Sequence, residues 1–175
     1  KNGAEYSGID ITENHIKLSK QNFKNNKLKY KDFFLDDLLN INVKNQYDVI
    51  YSFGVLHHIA HEEHYLEKIK TLLSPSGELR VAVYSKYSFF NFYLFSTWIF
   101  KNKCKVTFNQ WQGYISDGAD FKYPITIKIR SKKEVLELYQ SCGFQITRYH
   151  KRGFVQNYIP MFGKLFKPDG YFLNT

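Results

Sequence analysis

Apolar and polar positions change rhythm several times along the chain, and each change marks an element. Over Tyr47–Phe53 (YDVIYSF) β-branched and aromatic residues crowd a short run that ends at a small Ser52-Phe53-Gly54 exit, the pattern of a buried strand followed by a turn. Val55, Leu56, the adjacent His57 and His58, and Ile59 lead into HEEHYLEKIKTLLSPSG, where Leu66, Ile69, Leu72 and Leu73 share one helical face. Pro75 and Gly77 stop that helix. ELRVAVYS at 78–85 is strand-like again. Together they predict a βαβ unit whose parallel strands are covered on both faces.

Upstream, YSGIDI at 6–11 predicts a short strand with Asp10 at its carboxyl end. Thr12 is a suitable cap for the helix ENHIKLSKQNFKNN, whose apolar anchors are Ile16, Leu18 and Phe23. A second strand at 28–35 ends in Asp36-Asp37-Leu38-Leu39. Beyond 85 the pattern is dominated by aromatic side chains, among them Phe89, Phe92, Phe95, Trp98, Phe108 and Trp111, partly at helical spacing. Either a helix packed over the sheet or a substrate-lining cover over 86–125 fits this composition. A membrane-surface role is disfavoured, because Ser88, Asn91, Ser96 and Thr97 interrupt the face and Lys101, Lys103 and Lys105 follow it instead of lining it. Further on, Ser131 and Glu134 form a capping-box pattern for a helix lined by Val135, Leu138, Tyr139 and Cys142 and ended by Gly143. QITRYHKR and the closing GYFLNT are expected to pair as an antiparallel edge hairpin.

Composition narrows the classes. With 175 residues the chain suffices for one core and is short for two domains. The net charge is +9, but the lysines are scattered at helical or loop spacing, so solvated faces explain them better than a nucleic-acid footprint. No apolar run is long enough to span a bilayer, no signal-peptide pattern opens the sequence, and Cys104 and Cys142 lie far apart without metal-binding spacing. A cytoplasmic protein with reduced thiols, no nucleic-acid partner and no stable membrane insertion is expected.

Two carboxylates carry the candidate chemistry. Ligands of open parallel sheets bind beyond the carboxyl ends of the strands, so Asp10 is placed to accept hydrogen bonds from two ribose hydroxyls; a helix-capping carboxylate fits the same position. Asp36 is placed to accept from an exocyclic amine such as that of adenine, with the next backbone N–H facing a ring nitrogen; alternatively Asp36 and Asp37 start a short helix and complement its dipole.

The order GIDIT, DDLL, YDVIYSFGVLHHI, LLSPSGELRVAVY resembles the class I S-adenosylmethionine-dependent methyltransferases of the small-molecule branch, over about 6–84 and again over 131–144. This resemblance implies an α/β fold with a Rossmann-like, doubly wound, mostly parallel sheet and a C-terminal antiparallel hairpin, a single domain over 1–175, and S-adenosyl-L-methionine as cofactor. It implies Asp10 on the ribose, Ile11 against the adenine, Asp36 at the adenine amine, Asp37 and Leu38 near the ring edge, and Ser52 and Phe53 beside the methionine portion, with His57 and His58 close by. The family's first strand and GxGxG loop belong about twenty residues before the ribose acid. Only nine residues precede Asp10, so that central strand is expected to be missing from this chain.

Methyl transfer from a sulfonium is an in-line displacement that chiefly needs alignment in a dry pocket. Where the acceptor must lose a proton, His57 and His58 are the candidate bases; a packed structural pair is the alternative. Tyr84, Tyr87 and Trp111 are the candidate substrate contacts. No metal is expected, since His61-Glu62-Glu63-His64 misses the HExxH spacing, and no GxSxG elbow or phosphate loop is present. The expected function is S-adenosylmethionine-dependent methylation of a small-molecule acceptor, with room for a homodimer. A non-catalytic or truncated methyltransferase-fold binding module is the alternative.

Overall fold

The computed structural model describes residues 3–44 and 46–150, and their contacts separate into two compact units, 3–50 with His64–Leu79, and Tyr51–Glu63 with 80–150. In the first unit, strand β1 (Ser7–Asp10), helix α1 (Glu13–Asn25) and strand β2 (Asp32–Leu35) follow one another. The strands are parallel, Ser7 opposite Asp32 and Asp10 opposite Leu35, so their carboxyl ends lie side by side. Both are shorter than the sequence pattern predicts. Leu28 N–H donates to Phe23 and Lys31 N–H to Tyr6, which uses the intervening backbone as a turn before β2 starts. Gly8 is dictated by packing: a Cβ there would meet the Phe33 ring at 2.8 Å. Tyr6, Phe23, Tyr30 and Phe33 form a ring cluster with centroids 4.6 to 5.8 Å apart, in the tilted and edge-on arrangements that aromatic quadrupoles favour. On α1 only Ile16 is buried; Leu18, predicted as an anchor, is exposed.

Next come strand β3 (Tyr47–Phe53), a 3-10 turn (Leu56–His58), helix α2 (Glu62–Leu72) and strand β4 (Leu73–Ala82). Leu66, Ile69 and Leu72 are buried as the pattern predicts. β3 and β4 pair and run the same way: Gly77 lies against the Tyr47 carbonyl at one end, and Gly54 N–H donates to Ala82 at the other. α2 ends at Leu72, so Leu73, Pro75 and Gly77 belong to β4 instead of closing the helix, and a Cβ added at Gly77 would sit 2.8 Å from Tyr47 O and 3.0 Å from Ser74 O. Gly54, at φ +72°, ends β3 in a conformation that side-chain-bearing residues adopt at a cost. Burial on both faces is not observed: Val49, Tyr51 and Phe53 are exposed, and one crossover helix covers only one face of a strand pair. Among the described residues, β1–β2 and β3–β4 are separate two-stranded sheets.

The second unit contains helices α3 (Phe89–Phe100), α4 (Phe108–Asp117) and α5 (Lys132–Ser141). Ser88 caps α3 by accepting from Asn91 N–H, and capping boxes start α4 (Thr107 with Gln110) and α5 (Ser131 with Glu134). Its buried apolar residues are Leu56, Leu94, Trp111, Ile127 and Tyr139. Among the described residues no strand is formed at 145–150; the rest of the expected hairpin, with Lys151, Arg152 and GYFLNT, lies outside the described residues. No helix among the described residues is long and apolar enough to cross a membrane.

Candidate functional site

The first unit holds Asp10, Ile11, Asp36, Asp37 and Leu38 together at the carboxyl end of β1 and β2. Asp36 N–H donates to Asp10 O at 3.1 Å, which ties the two strand ends to each other. Asp10, and not the Thr12 side chain, bonds at the helix entrance. Its Oδ1 accepts Thr12 N–H at 2.7 Å and its Oδ2 lies 3.2 Å from His15 Nδ1, whereas the Thr12 side chain makes no cap bond. An ionised carboxylate offers about four acceptor sites, so these contacts leave room for two hydroxyl donors while fixing the group's orientation. Ile11, next in the chain, is 74% exposed.

Asp36 and Asp37 organise a turn instead of a short helix. Asp36 Oδ1 accepts Asp37 N–H at 2.7 Å and Asn40 Nδ2 at 3.0 Å, and its other oxygen has no hydrogen-bond partner among the described residues. Asp37 accepts Leu39 N–H at 2.8 Å on one oxygen and the Tyr65 hydroxyl at 2.5 Å on the other. That bond to Asp37 pushes the Tyr65 phenol up to about 12. With Asp37 N–H already donated to Asp36, the N–H of Leu38 is the one of this pair that remains available.

The second unit holds Ser52, Phe53, His57, His58, Tyr84, Tyr87 and Trp111. Ser52 and Phe53 close β3 just before the Gly54 turn. His57 is 1% exposed, its ring 4.1 Å from His58 and 4.6 Å from Tyr84, and neither of its nitrogens has a hydrogen-bond partner among the described residues. Burial, reinforced by His58 and Arg130 against an opposing Asp117, lowers its pKa to about 4 and keeps the ring neutral near pH 7. His58 instead reaches Thr126 O with Nδ1 at 3.0 Å and approaches Asp117 Oδ1 with Nε2 at 3.6 Å. Lys128 N–H donates to His57 O at 2.8 Å, so the segment after α4 straps the histidine turn.

Tyr84 is partly buried against His57 and Phe90, and Tyr87 is exposed before α3. Trp111 is a core residue: its indole N–H donates to Thr97 Oγ1 at 3.0 Å inside the α3–α4 packing. Residue patterning missed one cluster. Glu62, wholly buried, accepts Arg130 at 2.6 Å and the Tyr139 hydroxyl at 3.3 Å, and burial with Glu62 pushes the Tyr139 phenol well up. The partners are 68 and 77 positions away, beyond the reach of any local pattern.

Comparison with known proteins bears on the fold and the family. A protein from Bacillus halodurans described as a methyltransferase is similar at TM-score 0.58 and 14% identity, over 88% of this chain and 60% of that one. PKMT2 from Rickettsia typhi, solved in complex with AdoHcy, is similar at TM-score 0.56 and 15% identity, over 79% and 34%. The [4+2]-cyclase SpnF is similar at TM-score 0.59 and 15% identity, over 86% and 46%. These likenesses show an α/β methyltransferase-like fold, of which the chain spans about a third to three fifths of the relatives' lengths. No curated protein matches the sequence. The family model described as "Methyltransferase domain" matches residues 1–143, most of the chain, and the chain therefore belongs to the methyltransferase-domain family.

Proposed function

We propose that the protein transfers a methyl group from S-adenosyl-L-methionine to a small-molecule acceptor. The observation that carries this is the pair of parallel strands whose adjacent carboxyl ends present Asp10 and Asp36 with unfilled acceptor capacity. The residues fit the nucleoside. Asp10 would take the two ribose hydroxyls, exposed Ile11 would lie against adenine, Asp36 would accept from the adenine amine and Leu38 N–H would donate to a ring nitrogen. AdoHcy bound to the similar PKMT2 supports the choice of cofactor.

The cofactor, when bound, supplies an activated methyl on a sulfonium centre, so little covalent chemistry is left to the protein. Its residues hold and orient the reactants and exclude water. We assign Ser52 and Phe53 to the methionine side, Tyr84 and Tyr87 to the acceptor side, and 86–125 to the acceptor's cover within a single domain built on a doubly wound, mostly parallel sheet. Trp111 contributes to that cover by packing. Of the two histidines, we assign His57, whose ring nitrogens have no hydrogen-bond partner among the described residues, as the proton acceptor, a role that requires its enclosed ring to be uncovered when the acceptor binds; His58 fixes the turn. Neither cysteine forms a disulfide among the described residues, which suits a cytoplasmic setting.

SpnF's likeness shows that this fold accommodates other chemistry, and the enclosed ring of His57 favours a second reading as a binding module without turnover. Calorimetric titration of the intact protein with S-adenosylmethionine and with its demethylated product separates the outcomes. Binding of both, weakened at least about tenfold by Asp10→Ala, supports the proposal. Absence of binding refutes it, and binding with no methyl transfer to any acceptor supplied supports the module.

A further inference from the structure

We infer that the outward face of α3 is a docking surface for an anionic lipid bilayer, on which the helix lies flat. α3 is apolar almost all round (FFNFYLFSTWIF), a composition that a surface helix of a water-soluble domain does not need. Leu94 and Thr97 face inward. Phe89, Phe92, Phe95, Ile99 and Phe100 form the opposite stripe and are all exposed, Phe92 at 62% and Phe100 at 79%. Such a stripe leaves on the order of 400 Å² of apolar surface open to water, at the upper end of what a monomer tolerates.

Of the polar residues that interrupt this helix in sequence, Thr97 is buried, and Ser96, which falls on the outer arc between Phe92 and Phe100, has its hydroxyl bonded to the backbone. Ser88 Oγ caps the helix, Asn91 Nδ2 donates to Lys86 O, Ser96 Oγ donates to Phe92 O, and Thr97 is buried between Tyr93, Leu94 and Trp111. Serine and threonine hydroxyls bonded to their own helix backbone need no water, which is the requirement for entering a membrane interface.

Charge selects the occupant. Between Glu78 and Asp117 the sequence has no carboxylate side chain, while Lys86, Lys101, Lys103 and Lys105 flank the helix and are exposed. The turn that carries the last three is fixed by Trp98 Nε1–H donating to Val106 O at 2.8 Å and by Asn102 Oδ1 accepting Val106 N–H at 3.1 Å. Lys103 and Cys104 both adopt positive φ there, a strained pair held by these bonds. Apolar insertion and several nearby lysines are the two signals that together hold a peripheral protein on anionic lipid. At 12 residues, about 18 Å long, α3 is too short to span and must lie in the interface.

The test is flotation of the intact protein with phosphatidylcholine vesicles, with and without a minority of phosphatidylglycerol. Capture is expected only with the anionic lipid, with a fall as salt rises. Lys101→Gln, Lys103→Gln and Lys105→Gln together should weaken capture about a hundredfold at low salt, and Phe92→Glu with Phe100→Glu at least about tenfold. These positions are exposed, so thermal melting should not change. Without any variant, brominated acyl chains should quench tryptophan emission, since Trp98 sits on α3. No capture of the wild type, equal capture of the variants, or absence of quenching overturns the inference. So does a dimer in sedimentation velocity that the two glutamates convert to monomer, which would assign the face to a second copy.

Discussion

At the scale of single residues, His57 is the group whose surroundings differ most from water. Its pKa is about 4 in the folded chain against an ordinary 6.5, so between those values the unfolded chain binds a proton that the folded chain refuses. Stability from this group is therefore full above pH 6.5 and falls as the pH drops toward 4, by about 3 kcal/mol in all. His57→Leu should flatten that part of the pH dependence, read as urea midpoints at pH 7 and pH 5. Identical slopes in the two chains would contradict a buried neutral ring. The histidine pair was visible in the sequence, but its split was not. Which ring is enclosed and which reaches Thr126 and Asp117 depends on a strap more than fifty positions downstream.

At the scale of elements, local chemistry spoke clearly. β3 has the predicted bounds, α2 buries the predicted Leu66, Ile69 and Leu72, and the Ser131–Glu134 capping box is formed. Thr107 and Gln110 carry the same signature for α4, a signal available in the sequence that patterning passed over. The joins between distant elements were not legible. Glu62 in the first turn of α2 meets Arg130 and Tyr139 of the α5 region because burial leaves a carboxylate no water to turn to. Glu62→Gln should cost about 3 kcal/mol in chemical denaturation, since it leaves a partly buried guanidinium poorly paired. Replacing both partners, Glu62→Leu with Arg130→Met, should recover much of that loss. Equal losses in the single and double variants would show that the ion pair contributes packing only. Gly77→Ala should also destabilise, because its Cβ would press on two backbone oxygens that cannot move aside cheaply.

At the scale of the whole molecule, family and α/β class were readable from the order of short segments, and the family model and the solved structures agree with that order. Face coverage was less readable: the exposed side of β3 and the outward phenylalanines of α3 depend on which neighbours are present, a long-range property that alternation and helical spacing do not encode. The cofactor reading depends on Asp10, whose carboxylate is already oriented by Thr12 and His15 before any ligand arrives. The most direct test pairs Asp10→Ala with two ligands in calorimetry, S-adenosylhomocysteine and its 2′,3′-dideoxy counterpart. If Asp10 holds the ribose, the substitution weakens the first ligand about tenfold to a hundredfold and leaves the second, already weak, unchanged. Equal affinity of the wild type and Asp10→Ala for S-adenosylhomocysteine would contradict the account.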